Sequence, residues 1–273
     1  MSQHTVERIL QKLQAEGAIE YKMYTSSNAE EMTSQIDEAI LWGAQAMVVA
    51  PQWTGMEAPV QAAINEGLTV VAFDMDIAAE GIYKVTGDNE SMGVGGAKFI
   101  VDKIGTEGLV VVLRNTSSGS IDELRTKGFK ETMAEIAPNV KFAEYDTGTF
   151  TADDGLKTMA DVLTANAKID AVFSLDDETS IGCLQAIDEA GRTDIKAITG
   201  GGGCQKYFKI IEAKAGEIAA ASALYSPLMV KDCIDVAVAV VNGETAEAVT
   251  VIPSQIVSAE NVAEYLDPNN TIY

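Results

Sequence analysis

The apolar residues of this chain follow two alternating patterns, one with helical spacing and one of short uninterrupted runs. They recur at helical spacing over residues 6–13 and 32–41, whereas residues 46–50 and 70–73 are apolar runs of strand length. Such runs, and other short segments that are largely apolar, predict strands at 19–24, 46–50, 69–73, 109–113, 140–145, 171–175, 195–199 and 218–224. The helical spacings predict helices at 6–13, 32–41, 60–64, 90–104, 124–136, 156–163, 181–190 and 207–213. Because strands alternate with helices, the pattern predicts a doubly wound α/β fold with parallel sheets, present twice.

Chain length and charge narrow the class of protein. The 273 residues are enough for two medium domains, since single cores stop growing near that size. The 41 acidic and 19 basic residues give a formal net charge of -22, which repels phosphate backbones and anionic lipid surfaces. We therefore expect neither nucleic acid nor a membrane surface as a partner. No apolar run reaches the roughly 18 residues that a membrane-spanning helix needs.

The cysteines and the single histidine do not have the spacing or position of a metal site, a disulfide framework or a catalytic triad. Cys183, Cys204 and Cys233 are widely separated, without the paired spacing of a zinc site or a disulfide framework, and we expect buried thiols. His4 lies near the terminus, where a Ser-His-Asp centre is not expected. The sequence predicts no catalytic residues, no metal and no cofactor. The first residues also lack the basic region, apolar core and cleavage site of a secretory signal.

The residues that follow the predicted strands are the candidates for ligand binding. In parallel α/β sheets, ligands bind at the carboxyl ends of the strands. At these positions the chain carries carboxylates, aromatic side chains and small polar groups: Trp53, Asp74, Asp76, Phe150, Asp176 and the glycine run 200–203. Carboxylates accept hydrogen bonds from hydroxyl groups, and aromatic faces cover the apolar C–H face of a sugar ring. These side chains favour a neutral ligand rich in hydroxyl groups.

Several motifs follow one another along the chain: Trp42-Gly43-Ala44, Val48-Val49-Ala50-Pro51, Val70-Val71-Ala72-Phe73-Asp74, Thr86-Gly87-Asp88-Asn89 with Gly93, Arg125-Thr126-Lys127-Gly128-Phe129, Ala171-Val172-Phe173-Ser174-Leu175-Asp176-Asp177-Glu178 with Ile181-Gly182, and Asn242-Gly243-Glu244. Taken in order, they resemble the type 1 periplasmic binding proteins, in particular the ribose-like sugar-binding components of ABC transporters. The resemblance covers nearly the whole chain. It implies two Rossmann-like lobes joined by a hinge, with a ligand cleft between them. The N-terminal lobe would comprise 1–89 and about 225–252, and the C-terminal lobe 90–224 and about 253–273.

The resemblance also implies roles for individual residues. Asp74 matches a strand-end aspartate that accepts hydrogen bonds from sugar hydroxyls, and Asp76 stands where a subset of the family carries a second acid. Arg125 matches an arginine that reaches into the cleft from the second lobe. Phe150 matches an aromatic that stacks on the sugar ring, and Asp176 a polar residue after the next strand.

Three further positions complete the expected site. The family's next ligand aspartate falls at Gly201, where we expect a tight turn at 200–203 whose backbone amides bind the ligand instead. Trp53 and Tyr225 are additional aromatic candidates. Asp177 and Glu178 are expected to cap the following helix through its dipole.

The resemblance implies a non-enzymatic protein that captures a small sugar or polyol, closes by a hinge motion, and presents the ligand to the membrane component of an ABC transporter. It implies a monomer in the periplasm or outside the cell, with a lipid anchor as one arrangement. Family members begin with a strand and an aromatic loop, and Met1 falls near that loop, so the first strand is expected to be missing or replaced.

Two other functions and one other role for Arg125 remain open. Asp74-Met75-Asp76 resembles the metal-binding motif of nucleotide-sugar glycosyltransferases, in which carboxylates hold Mn or Mg against a diphosphate. The N-terminal residues 5–19 resemble part of a bacterial repressor, which would make the chain a sugar-responsive effector domain. The alternative for Arg125 is a surface ion pair with Glu123.

Overall fold

The computed structural model describes residues 3–51, 55–225 and 229–267. The chain divides into two compact units, each assembled from two chain segments. Unit 1 comprises residues 1–87 and 227–252, and unit 2 comprises residues 88–226 and 253–273.

Unit 1 is built on a parallel sheet. Its strands are β1 (Ala46–Val49), β2 (Thr69–Phe73), β3 (Tyr83–Gly87) and β9 (Val249–Ile252), paired in the order β1-β2-β3-β9. Its helices are α1 (Gln3–Ala15), α2 (Ala29–Trp42), α3 (Glu57–Asn65) and α9 (Val230–Val241). The central strand β2 is almost fully buried, because helices pack against its apolar side chains.

Unit 2 has a larger sheet with one antiparallel edge. Its strands are β4 (Glu107–Arg114), β5 (Asn139–Asp146), β6 (Ala171–Phe173), β7 (Ala197–Gly202), β8 (Ala219–Leu224) and β10 (Ile256–Ser258), in the order β10-β8-β7-β6-β4-β5. Its helices are α4 (Asn89–Ile104), α5 (Ser120–Ile136), α6 (Ala152–Ala165), α7 (Asp177–Glu189) and α8 (Gln205–Ala213), with short 3₁₀ helices at Thr116–Ser118 and Val262–Glu264. β10 is antiparallel to β8, and the other pairs are parallel.

Two apolar cores cover the two faces of the unit 2 sheet. One contains side chains of α4 and α5, and the other contains side chains of α6, α7 and α8. Thr151 begins α6 as an N-cap, because its side chain accepts a hydrogen bond from the Asp154 amide. These cores fix the ends of the helices that carry the polar residues described below.

The predicted α/β fold with parallel sheets is confirmed, but several elements differ. Residues 19–24 form no strand; a strand needs a neighbour that pairs its backbone, and none pairs with this segment among the described residues. The strands β3, β9 and β10 and helix α9 were not predicted. β9 and β10 are only 4 and 3 residues long, too short for a clear pattern.

The glycine run was also predicted wrongly. Gly200, Gly201 and Gly202 are the last residues of β7 and pair with β8, so only Gly203 lies outside the strand. Glycine is needed there because other groups approach its backbone closely. A Cβ atom on Gly201 would lie 2.7 Å from the Leu175 carbonyl oxygen and 3.4 Å from an Arg125 guanidinium nitrogen.

Candidate functional site

Arg125 lies at the carboxyl end of the unit 2 sheet and is 7% exposed. It projects from the buried face of α5, so a surface ion pair with Glu123 is not its role. Its Nε donates to Asn89 Oδ1 at 2.8 Å, and its Nη1 donates to the Leu175 carbonyl oxygen at 2.6 Å. The planar guanidinium is thus held by an amide from α4 and by the segment that follows β6.

Tyr225 lies beside this arginine. It directly follows β8, and its ring centroid is 5.2 Å from the Arg125 guanidinium carbon, a cation–π distance. The Asn89 amide donates to the Tyr225 hydroxyl at 3.5 Å. Asn89 therefore contacts both side chains and sets the position of one relative to the other.

Asp176 adds a half-buried carboxylate whose charge interacts with the arginine. Its Oδ1 caps α7 by accepting a hydrogen bond from the Thr179 amide at 3.0 Å. Its Oδ2 is buried and finds no hydrogen-bond donor in the described part of the chain. Burial raises the pKa of this carboxyl group, while the bond from Thr179 and the charge of Arg125 oppose that rise.

Asp177 is a fully buried carboxylate with a different set of partners. Its Oδ2 accepts hydrogen bonds from the amides of Gly203 and Cys204, both at 2.8 Å, and from the Ser222 hydroxyl at 2.9 Å. The N-cap of α7 is Asp176, whereas Asp177 and Glu178 lie in the first turn of the helix, at the positive end of its dipole as predicted. Asp177 also fixes the connection between β7 and α8.

We expect the replacement Asp177→Asn to change how stability depends on pH. Burial raises the pKa of Asp177 to about 7, so between roughly pH 4 and pH 7 the folded protein holds a proton that the unfolded chain has released. The stability that the protonated Asp177 contributes is fully present below about pH 4. It is lost as the pH rises to about 7, and the free energy of unfolding falls by up to about 1.4 kcal/mol per pH unit over this range. Asparagine keeps a carbonyl oxygen for the two amides but does not titrate.

The measurement is urea unfolding of the wild type and Asp177→Asn at pH 4, 5.5 and 7. The stability of the variant relative to the wild type should rise across this range. Asp161→Asn, at an exposed position of α6, is the matched control. Its free energy of unfolding should depend on pH in the same way as that of the wild type. Parallel curves for Asp177→Asn would contradict the raised pKa.

In unit 1, Asp74 and Asp76 follow β2 and have different surroundings. The Thr86 hydroxyl donates to Asp74 Oδ1 at 2.9 Å, and Asp74 is half-buried. Asp76 instead forms an ion pair with Lys84, at 2.6 Å between Nζ and Oδ1, and its side chain is 93% exposed. Asp74 is thus the better held of the two carboxylates.

The remaining predicted positions stay predictions. Phe150 is half-buried just before α6 and packs against the core that α4 and α5 share. Gly201 is buried within β7, so any contact with a ligand would involve its backbone. Trp53 lies outside the described residues. The three cysteines are buried, as predicted.

Sequence reasoning did not single out Asn89 or Thr86 as individual side chains. Both lie in the motif Thr86-Gly87-Asp88-Asn89, which was noted only as part of the resemblance. The signal available was local: Asp88 caps α4 through the Ser91 amide, which places Asn89 at the first turn of a helix after a strand end. The partners of Asn89 lie far along the chain, where no local pattern shows them.

Two kinds of feature are absent from the described residues, a cluster of metal-binding side chains and a helix that could span a membrane. Within residues 3–51, 55–225 and 229–267, no group of three or more His, Cys, Asp or Glu side chains is arranged to hold a metal ion. Across the same ranges, no helix combines the length and the apolar character required to traverse a bilayer.

The fold and the polar strand ends define an α/β binding protein with two units. Residues 3–245 match the family model described as periplasmic binding protein domain. The chain therefore belongs to that family, which consists of solute-binding proteins and not enzymes. The predicted resemblance is confirmed.

Individual relatives agree with this assignment. The chain is 26% identical over 245 residues to a xylitol-binding protein of Mycolicibacterium smegmatis, covering 88% of this chain and 69% of that protein. It is 29% identical over 164 residues to the D-allose-binding periplasmic protein of Escherichia coli, covering 57% of this chain and 52% of that protein. The fold matches an ABC transporter periplasmic solute-binding protein from Actinobacillus succinogenes with bound D-allose, with a TM-score of 0.83 at 20% identity over 97% of this chain and 96% of the other.

Proposed function

We propose that this protein binds a small neutral sugar or polyol and delivers it to the membrane component of an ABC transporter. The observation that carries the proposal is the buried Asp176 Oδ2, which lacks a donor among the described residues and lies within electrostatic reach of Arg125. A buried carboxylate oxygen without a donor is costly. A ligand hydroxyl would supply the missing hydrogen bond.

The charges at the strand ends favour a neutral ligand. Arg125 presents donors, whereas Asp176 in unit 2 and Asp74 in unit 1 present acceptors. In unit 2 an anionic ligand would meet the like charge of Asp176, and a cationic ligand would meet the like charge of Arg125. A hydroxyl group can donate and accept, so a molecule with several hydroxyls suits both kinds of group.

The relatives support the same ligand class. One is named for xylitol and one for D-allose, and a solved structure with this fold holds D-allose. We propose a ligand of this kind, with Phe150 and Tyr225 as aromatic surfaces for its C–H face. Membership of the family supports a periplasmic or extracellular location and an ABC transporter as the partner; we further propose that the protein acts as a monomer.

The glycosyltransferase alternative is disfavoured. It requires Asp74 and Asp76 to bind one metal ion together, yet Asp76 pairs with Lys84 while Asp74 pairs with Thr86. The family to which the chain belongs also consists of binding proteins.

The test is a thermal-shift screen of the purified protein against pentoses, hexoses, polyols and nucleotide sugars, each with and without Mg²⁺ and Mn²⁺. We expect a shift with a free sugar or polyol that does not depend on metal, because binding to the folded state alone raises the unfolding temperature. A shift that requires both metal and nucleotide sugar would support the glycosyltransferase. No shift with any sugar or polyol would contradict the proposal.

The role of Asp176 is tested on the ligand so found. Asp176→Ser keeps a side chain that caps α7 but removes the carboxylate. Loss of a hydrogen bond to a charged group should weaken binding about tenfold or more. Asp161→Ser, which removes the same charge from the exposed face of α6, should bind like the wild type. Equal affinity of both variants would exclude Asp176 from the binding site.

A further inference from the structure

Asp74 has an unusual backbone. Its φ is 67°, and it is the one residue other than glycine with a positive φ in the described ranges. The Met75 amide donates to the Phe73 carbonyl at 2.8 Å, so Asp74 is the central residue of a three-residue γ turn. This form of the γ turn, with positive φ, is rare and strained. A strained residue persists only where its surroundings hold it.

Two consecutive residues of β3 hold Asp74 in this conformation. The pairing of Ala72 with Lys84 and of Phe73 with Val85 continues beyond the end of β2. The Asp74 amide donates to the Val85 carbonyl at 2.8 Å, and the Thr86 hydroxyl donates to Asp74 Oδ1 at 2.9 Å. Both the main chain and the carboxylate of Asp74 are thus fixed by the neighbouring strand.

Asp76 also has a partner on β3, but that partner is Lys84. Lys84 lies two residues before Thr86, on the same face of β3. The ammonium group of Lys84 forms an ion pair with the Asp76 carboxylate, and the Asp76 side chain is 93% exposed. The two acids thus have different partners on β3: the half-buried Asp74 pairs with Thr86, and the exposed Asp76 pairs with Lys84.

We propose that Thr86 is a positioning residue, which orients the Asp74 carboxylate for hydroxyl groups of the ligand. This inference rests on the proposed function. The hydroxyl of Thr86 restricts the Asp74 side chain before the ligand arrives, so the loss of side-chain freedom occurs on folding and not on binding. Immobilising one such side chain at the moment of binding would weaken affinity by roughly three- to tenfold.

The test is a double-mutant cycle measured by calorimetry with D-ribose, D-allose, xylitol and myo-inositol as probes. Thr86→Val keeps the shape and β-branching of the side chain but removes the donor. Asp74→Gly removes the carboxylate and adopts a positive φ without strain. The cycle compares the wild type, both single variants and the double variant, with thermal unfolding of each as a check of the fold.

We expect Thr86→Val to weaken binding roughly three- to tenfold and to have no further effect in the Asp74→Gly background, because Thr86 acts through Asp74. Thr86→Ser, which retains the hydroxyl, should bind within about twofold of the wild type. Thr250→Val, the same replacement on the neighbouring strand β9, is the matched control and should leave affinity unchanged.

The outcomes separate the two proposals. Wild-type affinity in Thr86→Val, or an equal loss in both backgrounds, would overturn the positioning role while ligand binding stands. Failure of Thr86→Ser to restore affinity would also overturn it. If the wild type bound none of the four probes, the proposed function would fail, and the role of Thr86 with it.

Discussion

Replacing Arg125 by alanine is expected to reduce ligand affinity about 100-fold. The guanidinium is held by Asn89 Oδ1 and the Leu175 carbonyl, which fix its plane before the ligand binds. Hydrogen bonds that involve a charged group contribute about 1.5–3 kcal/mol each. Loss of one or two such bonds to the ligand corresponds to this decrease.

Arg125→Lys should also bind poorly, by about tenfold or more. An ammonium group keeps the charge but lacks the planar fork, so it cannot serve Asn89, Leu175 and a ligand hydroxyl in the same geometry. This variant also keeps a donor near the buried acceptors, which guards against loss of the fold. Calorimetry with the sugar or polyol from the screen measures both variants.

The matched control is Arg8→Ala, which removes the same charge from the exposed face of α1 in unit 1. It should bind like the wild type. Because Arg125→Ala leaves Asn89 Oδ1 and the Leu175 carbonyl without this donor, its unfolding temperature should fall, and binding is measured well below it. A folded Arg125→Ala with wild-type affinity would exclude the arginine from binding.

Replacing Gly93 by alanine is expected to lower the free energy of unfolding by about 3 kcal/mol, near the upper end for an overpacked core. Gly93 of α4 faces α5, and a Cβ atom there would lie 2.0 Å from the Arg125 carbonyl oxygen and 2.5 Å from the Phe129 amide nitrogen. Gly128 of α5 makes the reciprocal approach, with a Cβ position 2.1 Å from the Glu90 carbonyl oxygen. Both obstacles are backbone atoms, which cannot move aside without separating the helices.

The replacement should also disturb the binding residues. α4 carries Asn89 and α5 carries Arg125, so separating the helices would lengthen the hydrogen bond between these two side chains. We therefore expect weaker ligand binding together with the lower stability. Urea unfolding and calorimetry measure the two effects.

Gly95→Ala, two residues further along α4, is the control. A Cβ there would meet only side-chain atoms of the half-buried Ile256, at 2.9 Å, and a side chain can shift where the backbone atoms that face Gly93 cannot. Alanine also has a helix propensity about 1 kcal/mol better than glycine, so the net change should lie within about 1 kcal/mol. Equal stability of Gly93→Ala and Gly95→Ala would show that the close approach of α4 and α5 does not decide stability.

The local pattern was informative for long, buried elements and poor for short ones. β2 was predicted at its observed bounds, because Thr69 and the four apolar residues that follow it form a run of strand length. β3 was missed, since its sequence Tyr-Lys-Val-Thr-Gly contains little apolar character. At residues 19–24 a strand was predicted but is not formed, because a strand-like composition is not sufficient without a neighbouring strand to pair with.

The candidate residues show the same division. Strand ends pointed to Asp74 and Asp76 in one sheet and to Asp176 in the other, because ligands bind at the carboxyl ends of parallel strands. Arg125 lies in helix α5 and was singled out only by the family resemblance. Position in the chain could not separate Asp74 from Asp76, because the distinction depends on Thr86 and Lys84 of another strand. It also could not show that Asp176 caps a helix while Asp177 holds the start of α8.

The sequence by itself determined the alternation of helices and strands, the acidic charge and the chemical types at the strand ends, since each depends on neighbouring residues or on composition. Only the tertiary structure decided which of those side chains is held, and by what. Arg125 is fixed by partners 36 and 50 residues away, and the separation of Asp74 from Asp76 arises in the pairing of β2 with β3. Such contacts depend on which elements pack together, and the spacing of residues along the chain does not show this.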